Sequence, residues 1–416
     1  MGSCLSGGGG SKPNNNNNNN NNINNSNNNT KDNNQGQSSS FNNNNNNTTT
    51  LNSQQQYGQS SSNNVINGNN GSMSHRSNHH GGSENGQTED IKILLLGSGE
   101  SGKSTLFKQI KITEKGGFTK EEVSRYLNSI YGNIIQTIDS LITVVNEKGQ
   151  TKLLSTNSNR VARVRQVTSD DSFLWCGVQQ YNEDLSLDIE ELYKDPAITE
   201  AFDKYRYEVH VFEGATYFFK DLSRLRPPNY VPSQTDILYC RQKTTGINDT
   251  TFEYKGYRLK VVDVGGQRPE RKKWINSYAG VHAVIFVASL GDYDQVCYED
   301  DHTNRMSESI DLFEETINSR HFQNTMIILL LNKTDVFSRK IKEKSIRTLF
   351  PDYQGADTFE ESVKFIEKKY LDANKYDPNR IFTFWSCATE TESIKQVFNS
   401  VKDKVIELKM AQKPNA

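Results

Sequence analysis

The chain is poor in patterned cysteine, in surplus charge of either sign and in long apolar runs. Its five cysteines (Cys4, Cys176, Cys240, Cys297 and Cys387) show no C-x-x-C spacing. No zinc site or disulfide framework is therefore readable, and a reducing compartment is the default. The 48 basic and 50 acidic residues leave a formal net charge of −2. That balance lacks the basic signature of a nucleic-acid partner. No apolar stretch reaches the roughly 18 residues needed to cross a bilayer, and no charged-then-apolar leader opens the sequence. Apolar residues are scarcest at the start: residues 14–22 are all Asn, and Asn, Ser, Gly and Gln dominate to about Gln87. So little there can be buried that ordering entropy is not offset, and residues 1–88 are expected to be a disordered tail. His75, His79 and His80 fall in this segment and are read as solvated polar residues, not a metal site. The tail also accounts for much of the mean hydropathy of −0.77. Residues 89–416 are long enough for two cores.

Something small and specific is present at the amino terminus. Met1-Gly2-Ser3-Cys4-Leu5-Ser6 fits the N-myristoylation pattern at Gly2, with Cys4 open to palmitoylation. One myristoyl chain anchors only marginally, so Cys4 supplies the second signal that a stable hold on a membrane surface requires.

Past the tail, short apolar runs alternate with helical patterns. Ile91–Leu96, Ala283–Ala288, Ile327–Leu331 and Ile381–Trp385 are apolar or nearly so without alternation, as strands buried on both faces are. Thr251–Tyr254, Lys255-Gly256 and Arg258–Val264 read as a hairpin. Helices are expected over Met306–Ile317 and Thr391–Leu408. This rhythm predicts an α/β fold with a doubly wound, mostly parallel sheet. From about Gly116 to Ser233 the strands vanish. A capping box at Thr119-Lys120-Glu121-Glu122 opens a long amphipathic helix through Leu127, Ile130, Ile134, Ile138, Leu141 and Val145. Pro227, Pro228 and Pro232 then stop helix formation. The expected organisation is a tail (1–88), a first α/β part (89–114), an inserted all-helical domain (115–235) and a second α/β part (236–416).

Four motifs carry chemistry. Gly97-Ser98-Gly99-Glu100-Ser101-Gly102-Lys103-Ser104 completes G-x-x-x-x-G-K-[ST] directly after a strand. Its glycines let backbone N–H groups crowd an anion, helped by the helix dipole opening at Lys103. Lys103 is placed to reach the β- and γ-phosphates and Ser104 to ligate Mg²⁺. Asn332-Lys333-Thr334-Asp335 is N-K-x-D after a strand. The Asp335 carboxylate can accept two N–H bonds from guanine, a pair of donors adenine lacks. Ser386-Cys387-Ala388-Thr389 offers backbone to the guanine carbonyl. Asp263-Val264-Gly265-Gly266-Gln267 places Asp263 where a carboxylate holds Mg²⁺ through water. In this stretch Gly266 presents its N–H to a γ-phosphate, and Gln267 orients the attacking water. Finally, Arg241-Gln242-Lys243-Thr244 offers Thr244 as a second hydroxyl for Mg²⁺ and Arg241 to neutralise charge on the transferring phosphoryl group.

From Ile91 to about Leu408 the chain resembles a heterotrimeric G-protein alpha subunit. The resemblance rests on long phrases: Leu95 through Thr105, Lys243-Thr244-Thr245-Gly246-Ile247, and Asp263 through Trp274, with a helical insertion between the P-loop and Arg241. It implies a Ras-like GTPase domain, a helical lid over the nucleotide, and a GDP/GTP switch at the cytoplasmic face of the plasma membrane. It also implies partners: a beta-gamma dimer, a seven-helix receptor, and an effector that the sequence does not specify. By the same resemblance Thr105 and Gly265 join the nucleotide site, Asp221 touches the nucleotide from the lid, and Leu238 and Tyr239 flank the ribose. Glu100 would pair with Arg241 in the GDP state. An arginine supplied in cis is a known property of that family.

The chain departs from the family in three places. Asn-rich sequence stands where the beta-gamma-docking amino-terminal helix is usual, leaving Arg271-Lys272-Lys273-Trp274 as one dimer-facing candidate. The carboxyl end, Met410 to Ala416, lacks the family's glycine and large apolar residues. Thr334 and Ser386 replace the usual Lys and Thr of the base loops. Two other functions compete: a GTP-binding scaffold assembled by its Asn-rich tail, and a P-loop ATPase or kinase, which N-K-x-D disfavours.

Overall fold

The computed structural model describes residues 90–169, 181–209 and 211–411. Gly2, Cys4, Cys176, the Asn-rich tail and the last residues from Gln412 onward lie outside these.

Among the described residues six strands form one sheet: β1 (Asp90–Leu96), β2 (Ile247–Tyr254), β3 (Tyr257–Val264), β4 (Val281–Ser289), β5 (Met326–Asn332) and β6 (Ile381–Trp385). The spatial order is β2-β3-β1-β4-β5-β6. Only β2 runs antiparallel, paired to β3 across the Lys255-Gly256 turn. It starts at Ile247, not Thr251, because Ile247 pairs with Val264 at the far end of the hairpin. Exposed polar residues such as Asn248 and Asp249 hid this half of the edge strand from a reading based on apolar runs.

The unbroken apolar runs have a simple cause. Along β1, Ile91, Ile93 and Leu95 join one apolar cluster while Leu94 and Leu96 join another across the sheet. β5 divides the same way: Met326, Ile328 and Leu330 on one side, Ile327, Leu329 and Leu331 on the other. Side chains alternate faces, and both faces are covered. One cover is α1 (Lys103–Lys115) with the C-terminal helix Thr391–Ala411, through Leu106, Ile110, Phe398 and Val401. The other includes helices Arg305–Ile317 and Phe359–Asp372, through Phe313, Ile317, Ile366 and Tyr370.

Between α1 and β2 the described residues form helices and turns but no strand. The longest helix is α2 (Lys120–Lys148), opened by the complete Thr119/Glu122 capping box. Its buried stripe, from Ile130 to Val145, packs with Leu185, Ile198, Phe218 and Leu225 in a third, separate apolar cluster. The short helix Gln234–Tyr239, which we call α7 after the four intervening helices 158–168, 183–193, 196–205 and 215–219, returns the chain towards the sheet. It too begins with a capping box, between Ser233 and Asp236.

Asp236 also holds this segment together. Its fully buried carboxylate accepts from the Ser233 backbone N–H, the Ser233 hydroxyl and the Tyr217 hydroxyl, each at 2.8 Å, and pairs with Arg224. Burial works to raise its pKa, but the bonds from Arg224 and Ser233 outweigh that and hold it at about 2. The folded pKa lies below the ordinary 3.8. The stabilisation is therefore complete above the unfolded value and is lost as pH falls towards 2. Asp236→Asn is expected to cost about 2–3 kcal/mol at neutral pH, less than for a wholly buried pair because Arg224 keeps contact with water. Denaturant unfolding at pH 7 and pH 3 measures this; a deficit that does not shrink at the lower pH contradicts it.

Candidate functional site

The parallel strands end at one edge of the sheet. Leu95 is level with Asp263 on β3 and Ile285 on β4, Ser289 is level with Asn332 on β5, and Leu331 is level with Trp385 on β6. The loops that leave these ends must meet, in the position where open α/β sheets bind their ligands.

At the end of β1 the chain turns through Gly97–Gly102 and enters α1. Gly102 caps the helix at φ 103°, a conformation L side chains rarely adopt. Its α-carbon also faces the Asn332 amide closely enough that a Cβ would collide with it. Lys103 is buried, and its ammonium donates to the carbonyls of Gly97 (2.9 Å) and Ser98 (2.6 Å). Burial pulls its pKa down to about 8, against the opposing pull of Asp263. Gly266 lies directly over this ammonium and leaves no room for a Cβ there.

Three oxygen-bearing side chains from distant parts of the sequence converge at the first turn of α1. Ser104 Oγ lies 2.5 Å from Thr244 Oγ1 and donates to Asp263 Oδ2 at 3.1 Å. Burial raises the Asp263 carboxyl to about 6, with Lys103 the main opposing influence. Its Oδ1 is buried and has no hydrogen-bond partner among the described residues. Two hydroxyls and a carboxylate with one unsatisfied oxygen form the hard donor set that suits Mg²⁺, which binds few protein ligands and completes its shell with phosphate and water. A cation there and a polyphosphate on Lys103 would supply the opposite charge each buried group lacks. The residues present therefore fit the ion.

Glu100 stands at the rim with φ 59°, one of the positive-φ non-glycine residues among the described residues; Lys333 of the base loop, at φ 64°, is another. Such strained positions gather at functional sites. Glu100 pairs with Arg241 and, at 3.0 Å, with Arg305. Burial opposes ionisation, yet Arg241, then Arg305 and Lys333, hold its pKa at about 2. Gln267 sits across from Gly99 and lines a small cavity with Ser98, Gly99, Glu100, Tyr298 and Arg305.

The base loops are tied by Asn332. Its amide donates to Ser101 O at 2.9 Å and accepts from Ala388 N–H at 3.0 Å and Ser386 Oγ at 3.2 Å. One side chain thereby fixes three loops, a fastening role that the motif alone did not reveal. Of the Ser386–Thr389 backbone expected to contact a base carbonyl, the Ala388 N–H is engaged by Asn332. Thr334 binds Ser386 O through both its N–H and its hydroxyl, each at 3.2 Å, so the two residues that depart from the family's usual pair contact one another. Asp335 is exposed and accepts from the Cys387 thiol at 3.3 Å; Thr389 Oγ1 lies 3.2 Å from the same thiol. Lys333 is buried and pairs with Glu213, from the helical region, at 2.5 Å.

Other candidates are placed less centrally. Leu238 is buried on α7, and Tyr239 stacks on Tyr217 with ring centroids 4.2 Å apart. Asp221 is exposed and accepts from Ser223 Oγ at 2.8 Å. Thr105 is half-buried on α1, and Gly265 is buried, its carbonyl accepting from Trp274 Nε1 at 2.7 Å. That last bond corrects one expectation. Arg271-Lys272-Lys273-Trp274 is not a continuous basic surface: Trp274 is buried, and Arg271 turns inward to Gly266 O (3.0 Å) and Glu308. Only Lys272 and Lys273 face solvent. Arg305 is the chief residue that sequence reading missed. It binds Glu100, Gly99 O and Asp292 at once. Asn304, the N-cap of helix Arg305–Ile317, was the only nearby signal.

This fold and donor set define a P-loop nucleotide-binding protein with a helical insertion. The family model for the G-protein alpha subunit matches residues 67–405, and the chain belongs to that family. It is therefore a guanine nucleotide-binding alpha subunit of signalling. Such proteins bind GTP and GDP, generally with Mg²⁺, and are generally GTPases; beta-gamma dimers and receptors are their general partners. The match begins ahead of β1, inside the segment assigned to the tail.

Proposed function

We propose that this alpha subunit is a GDP/GTP switch that hydrolyses GTP to GDP and phosphate, relaying signals from membrane receptors to effectors. The observation that carries the reading is the convergence of Ser104, Thr244 and Asp263 beside Lys103, with Arg241 and Gln267 on the same rim. Lys103 and the loop N–H groups bind the phosphates. Ser104 and Thr244, with Asp263 behind them, hold Mg²⁺, which offsets phosphate charge when bound. Asp335 reads the guanine edge, Lys333 lies beneath the base, and Asn332 keeps the loops in register. Gln267 orients water. Arg241 leaves Glu100 to meet the transferring phosphoryl group, and Arg305 keeps Glu100 paired meanwhile. Loss of the γ-phosphate frees the loops at Thr244 and at Gly266–Trp274, which is the switch. Competition binding tests the base reading: GTP is expected to displace a labelled guanine nucleotide, and ATP at the same concentration is not. Equal displacement by ATP sinks the proposal.

Under this reading residues 89–114 and 236–416 make the GTPase domain and 115–235 the lid; Asp221 touches the nucleotide from the lid, and Leu238 and Tyr239, just past it, flank the ribose. Gly2 and Cys4 would carry the lipids that hold the chain to the cytoplasmic face of the plasma membrane. Gly2→Ala should then move the protein from the membrane to the soluble fraction; unchanged sedimentation with membranes rules out this anchor.

A further inference from the structure

Lys108 is a buried cation that neither the phosphate, nor the magnesium, nor the base contacts use. It lies on α1 one helical turn beyond Ser104. Its ammonium donates to Ile237 O at 2.9 Å and Cys240 O at 2.8 Å, with the Tyr126 ring 4.9 Å away. These carbonyls end α7, where unsatisfied oxygens carry the negative end of the helix dipole and attract a cation. From the other side, Asn133 of α2 accepts the Arg241 N–H at 2.8 Å and the Cys240 thiol at 3.6 Å.

The Cys240 C=O and the Arg241 N–H are opposite ends of one planar peptide unit. That plane is gripped at both ends, by a helix that begins at the phosphate loop and by the longest helix of the insertion. Fixing the plane fixes the direction from which the Arg241 side chain departs. We propose that Lys108 and Asn133 are positioning residues for Arg241, holding the Cys240–Arg241 peptide so that the guanidinium reaches the transferring phosphoryl group. The inference rests on the hydrolytic reading of Arg241 given above. Loss of one hold would shift a long, charged side chain by a fraction of its reach, and misplacements near 1 Å can cost about 10²-fold in rate.

The test uses the full chain with Asn133→Ala, Lys108→Met, Arg241→Cys, and Asn133→Ala combined with Arg241→Cys. Single-turnover phosphate release from GTP is expected to slow about 10- to 100-fold in Asn133→Ala, while the dissociation constant for a non-hydrolysable GTP analogue stays at the wild-type value. Hydrogen exchange at the Arg241 amide is expected to quicken in the same variant, with or without nucleotide. In the Arg241→Cys background Asn133→Ala should add no further loss, because residues that act through one another are not additive. Lys108→Met should behave like Asn133→Ala; since it strips a cation from buried carbonyls it could also unfold, and Asn133→Ala then decides alone. An unchanged rate in Asn133→Ala overturns the inference, as does an equal further loss in the Arg241→Cys background. If Arg241→Cys by itself keeps the wild-type rate, it is the hydrolytic reading of Arg241 that has failed, and the grip falls with it.

Discussion

Gln267→Leu is expected to bind GTP and to lose its hydrolysis. Gln267 caps the short helix Arg268–Arg271 through its backbone alone, with ordinary extended dihedrals and no side-chain cap bond, so leucine disturbs nothing local. The two side chains are close in volume, and the position lies half-buried against Gly99. What leucine removes is the amide, the group able to accept from and donate to a water beside the γ-phosphate. Orientation of a reactant is worth at least about 10²-fold in rate. None of the groups assigned to phosphate, magnesium or base is touched. Single-turnover phosphate release, measured next to binding of a non-hydrolysable analogue, separates the two effects. Full turnover in the variant would show that the water is oriented by something else.

Arg241→Cys is expected to slow turnover by about 10³- to 10⁵-fold, a magnitude already known for the arginine that alpha subunits of this family supply in cis. The structure explains why the loss should be kinetic and not a collapse of the fold. Arg241 and its partner Glu100 are each about one-third exposed, at 34% and 31% of side-chain area. A pair so solvated contributes about 1 kcal/mol or less. Glu100 also keeps Arg305 at 3.0 Å when Arg241 is gone. Thermal unfolding should therefore move little while phosphate release nearly stops. A large fall in melting temperature with a proportionate fall in binding would instead make Arg241 a structural residue.

Much of the sheet was legible because its strands are buried on both faces. Ile381–Trp385 was read to the residue, and β1, β4 and β5 to within a residue or two at each end. The edge strand β2 was half missed, since its first residues face water and a lone Ile247 followed by Asn248, Asp249 and Thr250 makes no apolar run. The glycine-rich loop after β1 was legible for another reason: backbone that must crowd an anion demands glycine at fixed spacings, and such patterns survive in a bare sequence. Helix Phe359–Asp372 was not singled out, although Thr358 caps it and Val363, Ile366 and Tyr370 mark its buried face.

The amino-acid sequence determined which groups are present: a G-x-x-x-x-G-K-[ST] loop, hydroxyl and carboxylate donors, an N-K-x-D run, an arginine and a glutamine. Tertiary structure alone decided who holds whom. That Arg305 shares Glu100, that Asn332 fastens three loops, that Glu213 reaches Lys333, and that Lys108 and Asn133 seize one peptide are contacts between residues far apart along the chain. Periodicity and spacing report only neighbours within a few residues. Contacts across the fold exist only once helices and strands have packed, and no local pattern encodes them.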